Sequence, residues 1–330
     1  MVERLLSHSL GIRVVQEEGA PFNQLDGGGW VINKKASDKV TCVFLDSQKY
    51  CRIHSELGAE QKPRVCQMFP FTLVGTPDGI FVGTSFFCTS VRENSGRPLV
   101  EHQQWLQGMV DRAGRLTQVD PENISIRPGV LTNWHDYSRC EEKLLRCPTT
   151  LSLLACARSR PVELFTAWGE ESDLDLKLVE RLVASATYAV LKLFLCDTRP
   201  ERLQSFDDAY LNEQPLELEE FAWSGTWDQL QDCLCWDFED DLLRWSKMQI
   251  HRKYLIASGH ILDNLWTLAL VPPFVRCLTV LYACREKRPP SREDFYQALE
   301  QAELYLGSNS KRLARLTPHF SAHLLETLAH

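Results

Sequence analysis

Apolar residues in the second half of the chain recur at helical spacing. In the run "LKLVERLVASATYAVLKLFL", residues 176–195, they stand three and four positions apart, as one face of a helix requires. A further helix is predicted to begin at Ser291, a common N-cap residue with Asp294 three positions later, and to end at Gly307. Residues 225–255 are also predicted to be mainly helical. We therefore predict an all-helical region over residues 96–330. The apolar face of the first run consists of Val179, Leu182, Ala186, Ala189, Val190 and Phe194.

Turn signals and short apolar runs dominate residues 1–95. "LDGGGWVINKK" predicts a flexible glycine run that enters a short strand, and "FTLVGTPDGIFVGTSFFC" predicts a hairpin around Pro77-Asp78-Gly79. "CRIHSELGAEQKPRVC" predicts one short helix that ends near Gly58, because Pro63 prevents a simple continuation. The fold class is therefore mainly α, with a small irregular α+β module over residues 1–95. The longest loop is predicted over residues 116–134.

One segment, "LWTLALVPPFVRCLTVLYAC" (residues 265–284), is long and apolar enough to span a membrane. Pro272 and Pro273 interrupt it, and Arg276 would lie near the bilayer centre, where a charge is costly. The pattern favours two buried helices that meet at a Pro-Pro corner, and no membrane partner.

Charge and cysteine content narrow the setting of the protein. The net charge is −8 and no block of Lys and Arg stands out, so a nucleic-acid partner is not expected. The N-terminal apolar stretch is too short for a secretion signal, which favours a cytoplasmic location. In a reducing cytoplasm, twelve cysteines indicate metal or redox chemistry rather than disulfides.

Four cysteines fall within the first module: Cys42, Cys51, Cys66 and Cys88. They are predicted at a strand start, at the two ends of the short helical segment and at the end of a hairpin strand, positions from which thiolates can converge on a metal. They contain no C-x-x-C pair, so spacing alone leaves two interpretations open: a metal site, or ordinary buried thiols.

The segment from Thr41 to Phe71 closely resembles the zinc- or iron-chelating cysteine-cluster family of the YkgJ type, which includes relatives of flagellin lysine-N-methylase. The resemblance rests on three elements, which in this chain are "CVFLD" from Cys42, "CRIH" from Cys51 and "KPRVCQMFP" around Cys66. Cys88 fits a later cysteine of that family. The resemblance covers about residues 25–90 and implies zinc or a [4Fe–4S] cluster as cofactor, with Cys42, Cys51, Cys66 and Cys88 as metal ligands.

Four polar or charged residues lie next to these cysteines in the sequence: His54, Asp46, Lys62 and Arg64. His54 lies three residues after Cys51, so on a helix it projects from nearly the same face and is included as a candidate ligand. A histidine that bonds nearby carbonyls is the alternative. Asp46 is predicted to order the "LDSQKY" turn rather than to bind metal. Lys62 and Arg64 are basic neighbours that either lower thiol pKa values or are simply solvated.

The chain departs from the family in one respect. The family usually opens with a C-x-x-C-x-x-C-C cluster, whereas this chain has no cysteine before Cys42. "MVERLLSHSLGIR" resembles the segment that normally follows that cluster. Either the chain given begins downstream of the cluster, which we favour, or the protein is a variant with a reduced cluster.

The remaining cysteine and histidine pairs favour packing over chemistry. Cys140 and Cys147, like Cys277 and Cys284, have a same-face spacing that is typical of a helix core. The Cys233 and Cys235 side chains would point apart on a helix. His319 and His323 have zinc-helix spacing but no Glu at position 320, and are interpreted as surface residues. These further pairs do not extend the predicted metal site.

Three functions follow from these observations. The first is a metal-binding cysteine-cluster protein whose helical region contacts a protein partner or substrate. The resemblance implies the second, an S-adenosylmethionine-dependent protein lysine N-methyltransferase, although no glycine-rich donor loop is visible. The third is a helical interaction protein with a decayed cluster. The tryptophans of residues 219–241, Trp223, Trp227 and Trp236, are expected to enter the core rather than to bind a methyl donor.

Overall fold

The computed structural model divides the chain into two compact units, Met1–Phe69 and Pro70–His330. The sequence pattern places the boundary near residue 95. The two units are described separately below. The residues that the structure describes are 2–37, 41–113, 116–153, 176–196, 199–235, 237–257 and 259–304.

The fold is mainly α, as the sequence predicts, with short strands in both units. The helices, numbered in chain order, are α1 (Val2–Ser7), α2 (Ser9–Glu18), α3 (Arg52–Leu57), α4 (Arg64–Met68), α5 (Thr89–Arg92), α6 (Gln103–Ala113), α7 (Trp134–Arg146), α8 (Leu176–Cys196), α9 (Leu203–Leu211), α10 (Trp227–Asp232), α11 (Glu239–His251), α12 (Tyr254–Ala257), α13 (Ile261–Arg285) and α14 (residues 292–304), and residues 150–153 are also helical. The strands are β1 (Phe22–Gln24), β2 (Trp30–Ile32), β3 (Phe71–Thr76), β4 (Gly79–Thr84), β5 (Thr117–Gln118), β6 (Ile124–Arg127), β7 (Val130–Thr132), β8 (Leu216–Leu218) and β9 (Trp223–Gly225).

The first unit packs the N-terminal helices α1 and α2 and the short helix α3 around a small apolar core. The β1 and β2 strands pair antiparallel across the glycine run, which confirms the predicted short strand. The core cluster of this unit consists of Val2, Leu5, Leu10, Val14, Phe22, Val43, Phe44 and Ile53.

Gly11 of α2 lies against the backbone of α1. A Cβ atom at this position would lie 1.9 Å from the backbone oxygen of Leu5 and 3.0 Å from the Cα atom of Leu6. Backbone atoms cannot rotate away from such a contact, so any larger side chain at position 11 forces the two helices apart.

We expect Gly11→Ala to destabilise the first unit by about 2 kcal/mol, a value typical of overpacked sites. Hydrogen exchange of the α1 and α2 amides should accelerate, while exchange in α13 should stay unchanged. Gly27→Ala is the matched control, since a Cβ there meets nothing within 4 Å. Equal exchange in the two variants would contradict the close approach.

The predicted hairpin over residues 71–88 is confirmed. The β3 and β4 strands pair from Phe71↔Thr84 to Thr76↔Gly79. Gly79 has a φ of 124°, a backbone angle that residues with a side chain rarely adopt. Phe81 and Phe86 belong to the large core of the second unit, and this packing explains why the hairpin groups with the helical part of the chain rather than with residues 1–69.

Residues 116–134 are not the long loop that the sequence predicts. β5 pairs parallel to β3, and β6 and β7 form a hairpin that turns at Gly129, whose φ is 76°. Ile124 and Ile126 are buried in alternation with half-exposed neighbours, which is the burial pattern of a strand. Together with β8 and β9, these strands also show that residues 96–330 are not all helical.

The apolar segment around the two prolines is one helix, α13, and not two helices meeting at a corner. Pro272 and Pro273 remove the amide donors that would bond the carbonyls of Leu268 and Ala269. Nearly every residue from Leu265 to Ala283 is buried, and this packing overrides the local preference of proline. Among the described helices it alone is long and apolar enough to cross a membrane, and 94% of its most apolar window is buried inside the protein, as in a core helix.

The helix pattern at the chain's end is confirmed as far as it is described. The backbone N–H of Ser291 donates to the Asp294 carboxylate at 2.9 Å, and the Asp294 N–H donates to the Ser291 hydroxyl at 3.4 Å. This reciprocal pair is the capping arrangement that the sequence suggests for α14. The predicted end at Gly307 and the His319/His323 pair lie outside the described residues.

Candidate metal centre

Three of the predicted ligands, Cys42, Cys51 and Cys66, lie in the first unit. Cys42 forms a β-bridge with Lys34, and Cys51 forms one with Leu45. Cys51 is also the N-cap residue of α3 and Cys66 is the third residue of α4. All three are half-buried and unpaired as disulfides. We call these three residues the thiol cluster.

The turn between Cys42 and Cys51 is held by Asp46. Its carboxylate accepts the backbone N–H groups of Gln48 and Tyr50, both at 2.9 Å, and its own N–H donates to the Tyr50 carbonyl. This confirms the predicted structural role of Asp46. Because the turn doubles the chain back on itself, Cys51 pairs with Leu45, three residues after Cys42.

The segment between Cys51 and Cys66 reverses direction in the same way. The α3 helix ends at Gly58, which has a φ of 96°, and Pro63 is the N-cap of α4. The Gln67 side-chain amide donates to the carbonyls of Glu60 and Lys62, at 3.0 and 2.7 Å, and so closes the loop. The predicted helix and its end at Gly58 are confirmed, and Cys66 is brought back toward the other two thiols.

The thiols interact electrostatically. Burial is the main cause that raises the pKa of Cys66, and the neighbouring Cys42 and Cys51 thiolates raise it further, against the charge of Lys62. The pKa of Cys42 is likewise raised, first by burial and then by Cys51, while the charges of Lys34 and Lys35 act in the opposite direction. For Cys42 and Cys66 burial thus outweighs the basic neighbours, and the pKa of each of these two thiols stays above its ordinary value.

The three thiols do not form a finished metal site. Across the described ranges, no three His, Cys, Asp or Glu side chains stand close enough together to hold a metal ion. The chemistry of the donors nevertheless suits a thiophilic ion, since three thiols share one half-buried region with cationic neighbours. Ion binding would therefore have to draw the sulfur atoms closer together.

The other two predicted ligands have different surroundings. The His54 side chain is exposed on α3, and its backbone carbonyl accepts the Gly58 N–H. Cys88 belongs to the second unit, where it is half-buried and is the N-cap residue of α5. The thiol cluster is thus described without a contribution from either.

The remaining described cysteines largely follow the expected packing. Cys140 and Cys147 are buried in the main core, and burial raises the pKa of Cys140 to about 12. Cys277 is fully buried, whereas Cys284 is half-buried. Cys233 is exposed and Cys235 is buried, but neither lies on a helix as the sequence analysis assumed, because α10 ends at Asp232.

The two described tryptophans of residues 219–241, Trp223 and Trp227, pack in the core as expected. Trp227 is only 5% exposed, and its ring lies 5.7 Å from the centroids of both Tyr188 and Tyr210, which stack on each other. Trp223 is half-buried and packs against the same core. Trp236 lies outside the described residues. Trp227 is therefore a core residue, unavailable to a ligand from solvent.

Two ion pairs of the second unit, each with a buried cation, were not predicted from the sequence. Arg276, already conspicuous as a charge within an apolar run, pairs with Glu239. Lys253 pairs with Glu141, and both side chains are buried. The only sequence signal for the first pair is the lone arginine, and the partner acids carry no local pattern that marks them.

Comparisons with known proteins add no relative: no family model, no curated protein and no solved structure matches this chain.

Proposed function

We propose that the first unit binds a thiophilic metal ion, zinc foremost, through Cys42, Cys51 and Cys66. The observation that carries this proposal is that three half-buried thiols from separate turns of the chain lie near enough to one another for Cys42 and Cys51 to raise the pKa of Cys66. Zinc binding deprotonates each thiol, and the favourable zinc–sulfur bonds offset the burial that raises the pKa of Cys42 and Cys66.

Zinc is favoured over an iron–sulfur cluster by the number of thiols. A cubane cluster ordinarily takes four cysteine thiolates, whereas zinc accepts three together with a nitrogen, oxygen or exogenous ligand. His54, which belongs to the same unit as the three thiols, remains a candidate for the fourth position. A cytoplasmic metal-binding role that involves a protein partner stays part of the proposal.

Protein purified anaerobically is expected to contain about one zinc ion per chain and no acid-labile sulfide. Cys42→Ser, Cys51→Ser and Cys66→Ser should each lower zinc affinity by at least ~100-fold, since each removes a thiolate ligand. Zinc competition with a chromophoric chelator measures the affinity. Acid-labile sulfide in the preparation would favour the iron–sulfur alternative.

The matched control is Cys233→Ser, which removes an exposed cysteine of the second unit. It should leave zinc content unchanged. A parent protein that binds no zinc would contradict a site at the thiol cluster. Equal loss of zinc affinity in Cys66→Ser and Cys233→Ser would contradict it as well. Either result would favour a first unit that binds a protein partner without metal, because its apolar side chains Trp30, Tyr50 and Val65 are exposed.

A further inference from the structure

A serine and a histidine of the second unit are in hydrogen-bond contact. The Ser125 hydroxyl oxygen, on β6, lies 2.6 Å from Nδ1 of His260, the N-cap residue of α13, although the two residues are 135 positions apart in the sequence. Both residues are half-buried. A hydroxyl bonded to an imidazole is the arrangement that activates serine nucleophiles, because the imidazole accepts the hydroxyl proton during attack.

The β6 strand turns the Ser125 side chain away from the main core. Its neighbours Ile124 and Ile126 are buried in that core, and successive side chains of a strand point to opposite faces. On β7, Leu131 stands directly opposite Ser125, so the two side chains share a face, and Leu131 is 57% exposed. The hydroxyl therefore lies beside an apolar side chain that solvent reaches.

Backbone contacts hold His260 at the start of α13. Gly259, with a φ of 71°, lets the chain turn into the helix. The His260 carbonyl accepts the Asn264 N–H at 3.1 Å, and the Asn264 side-chain amide donates to the Leu255 carbonyl at 3.0 Å. The imidazole makes no capping bond to α13, so its Nδ1 is left to the Ser125 hydroxyl.

Two arrangements of the proton differ in reactivity. If the Ser125 hydroxyl donates to Nδ1, the serine is activated. If Nδ1–H donates to the serine, the hydroxyl proton goes to the Arg127 carbonyl and the pair only ties the β6–β7 hairpin to α13. The distances favour activation, because the Arg127 carbonyl is 3.4 Å from the hydroxyl oxygen, beyond the usual range for a hydroxyl donor. Among the described residues no carboxylate bonds His260, so the pair is a dyad.

We propose that Ser125 is a nucleophile activated by His260, and that it acts on small esters with an apolar acyl group. The Ser125 oxygen bonds the ester carbonyl carbon, and the bond from that carbon to the alcohol oxygen breaks. His260 Nδ1 takes the serine proton and passes it to the leaving alcohol. Water then releases the acyl group as a carboxylic acid and restores Ser125. Leu131 contacts the acyl chain, and no step involves the thiol cluster.

Phenylmethylsulfonyl fluoride tests the nucleophile in the parent protein. The reagent transfers its sulfonyl group to the serine oxygen and loses fluoride, and mass spectrometry of peptides gives the rate at each serine. Ser224 is the internal control, since it is an exposed strand serine that no histidine of the described ranges bonds. Ser125 should react at least ~100-fold faster than Ser224, the contribution typical of a positioned base. Equal rates would overturn the activation.

His260→Gln separates a base from a tether. Glutamine keeps an acceptor for the Ser125 hydroxyl but does not take its proton, so labelling of Ser125 should fall about 100-fold while the urea midpoint of unfolding stays that of the parent. His251→Gln is the matched control, because His251 contacts the Phe81 ring. It should leave the labelling rate unchanged. Labelling of Ser125 that persists in His260→Gln would overturn the role of the histidine.

The substrate class is tested with p-nitrophenyl esters. The parent should hydrolyse p-nitrophenyl butyrate at least ~10-fold faster than Ser125→Ala does, since the variant lacks the nucleophile. Contact with Leu131 should favour butyrate over acetate by about fivefold, and Leu131→Thr, which keeps a good strand former, should remove that preference. Labelling of Ser125 without hydrolysis that depends on Ser125 would overturn the ester assignment.

Discussion

Replacement of Glu239 by alanine is expected to destabilise the second unit by about 3–5 kcal/mol, the cost of leaving a buried charge without its partner. Arg276 is 1% exposed and its guanidinium pairs with the Glu239 carboxylate. The same carboxylate accepts the Thr150 backbone N–H at 2.6 Å and the Thr150 hydroxyl at 3.0 Å. The alanine variant therefore leaves the buried Arg276 charge without the Glu239 carboxylate and removes the acceptor of the Thr150 backbone N–H.

Arg276→Met is the matched variant for this pair. It removes the buried cation and keeps similar volume, while Glu239 retains both bonds from Thr150 and a side chain that is 27% exposed to water. Its cost should be smaller, about 1–2 kcal/mol, because no buried charge is left over. Urea unfolding measures both values. A larger loss for Arg276→Met than for Glu239→Ala would show that the arginine acts mainly through packing.

Lys253→Met is expected to destabilise the protein by about 3–5 kcal/mol at pH 8, because it leaves the Glu141 carboxylate buried without its cation. The Lys253 ammonium bonds that carboxylate and lies 3.5 Å from the centroid of the Phe81 ring. Tyr137 donates its hydroxyl to the other carboxylate oxygen at 3.3 Å, which does not neutralise the charge.

The cost of Lys253→Met should depend on pH. Burial already raises the pKa of Glu141 above its ordinary value, and the hydrogen bond and charge of Lys253 act to lower this pKa. Replacement of Lys253 by methionine therefore raises the pKa of Glu141 further. A carboxyl whose folded pKa is raised contributes stability below its unfolded pKa, about 4.3, and that stability is lost as the pH rises through the folded value. The variant should therefore be much closer to the parent protein near pH 5 than at pH 8.

Unfolding of the parent, Lys253→Met and Lys253→Met/Glu141→Gln across this pH range checks the assignment. The glutamine replaces a group that titrates with one that does not, so the double variant should lose the extra pH dependence. If Lys253→Met is equally destabilised at pH 5 and pH 8, the Glu141 charge is not the source of the cost.

Local sequence signals predicted the elements that local interactions determine. The hairpin around Gly79 and the end of α3 at Gly58 were found because a positive φ favours glycine there. The role of Asp46 was found because its side chain bonds backbone only two and four residues away. These features need no information from the rest of the chain.

Long-range packing decided where the sequence prediction was wrong. Pro272 and Pro273 locally favour a break, but burial of α13 on nearly all sides keeps it one helix. The β6–β7 hairpin contains the turn residues of a loop, and only the burial of Ile124 and Ile126 against the main core reveals strands. Partners distant in sequence, such as Arg276 and Glu239, leave no local pattern at all.

The candidate site falls between these cases. The turns that return Cys51 and Cys66 toward Cys42 follow from Gly58, Pro63 and Asp46. The distances between sulfur atoms depend on packing of the whole first unit, which spacing along the chain cannot supply. This is why the sequence could nominate the thiols but not the final arrangement of ligands.

The small apolar core of the first unit bears on how the protein is degraded. Eight buried side chains offer little free energy against the chain entropy of residues 1–69, so this unit should open more readily than the second. Proteases act on such transient openings in proportion to their population. A ligand that binds only the closed form would suppress them, and the cellular lifetime of the polypeptide would then follow the supply of that ligand.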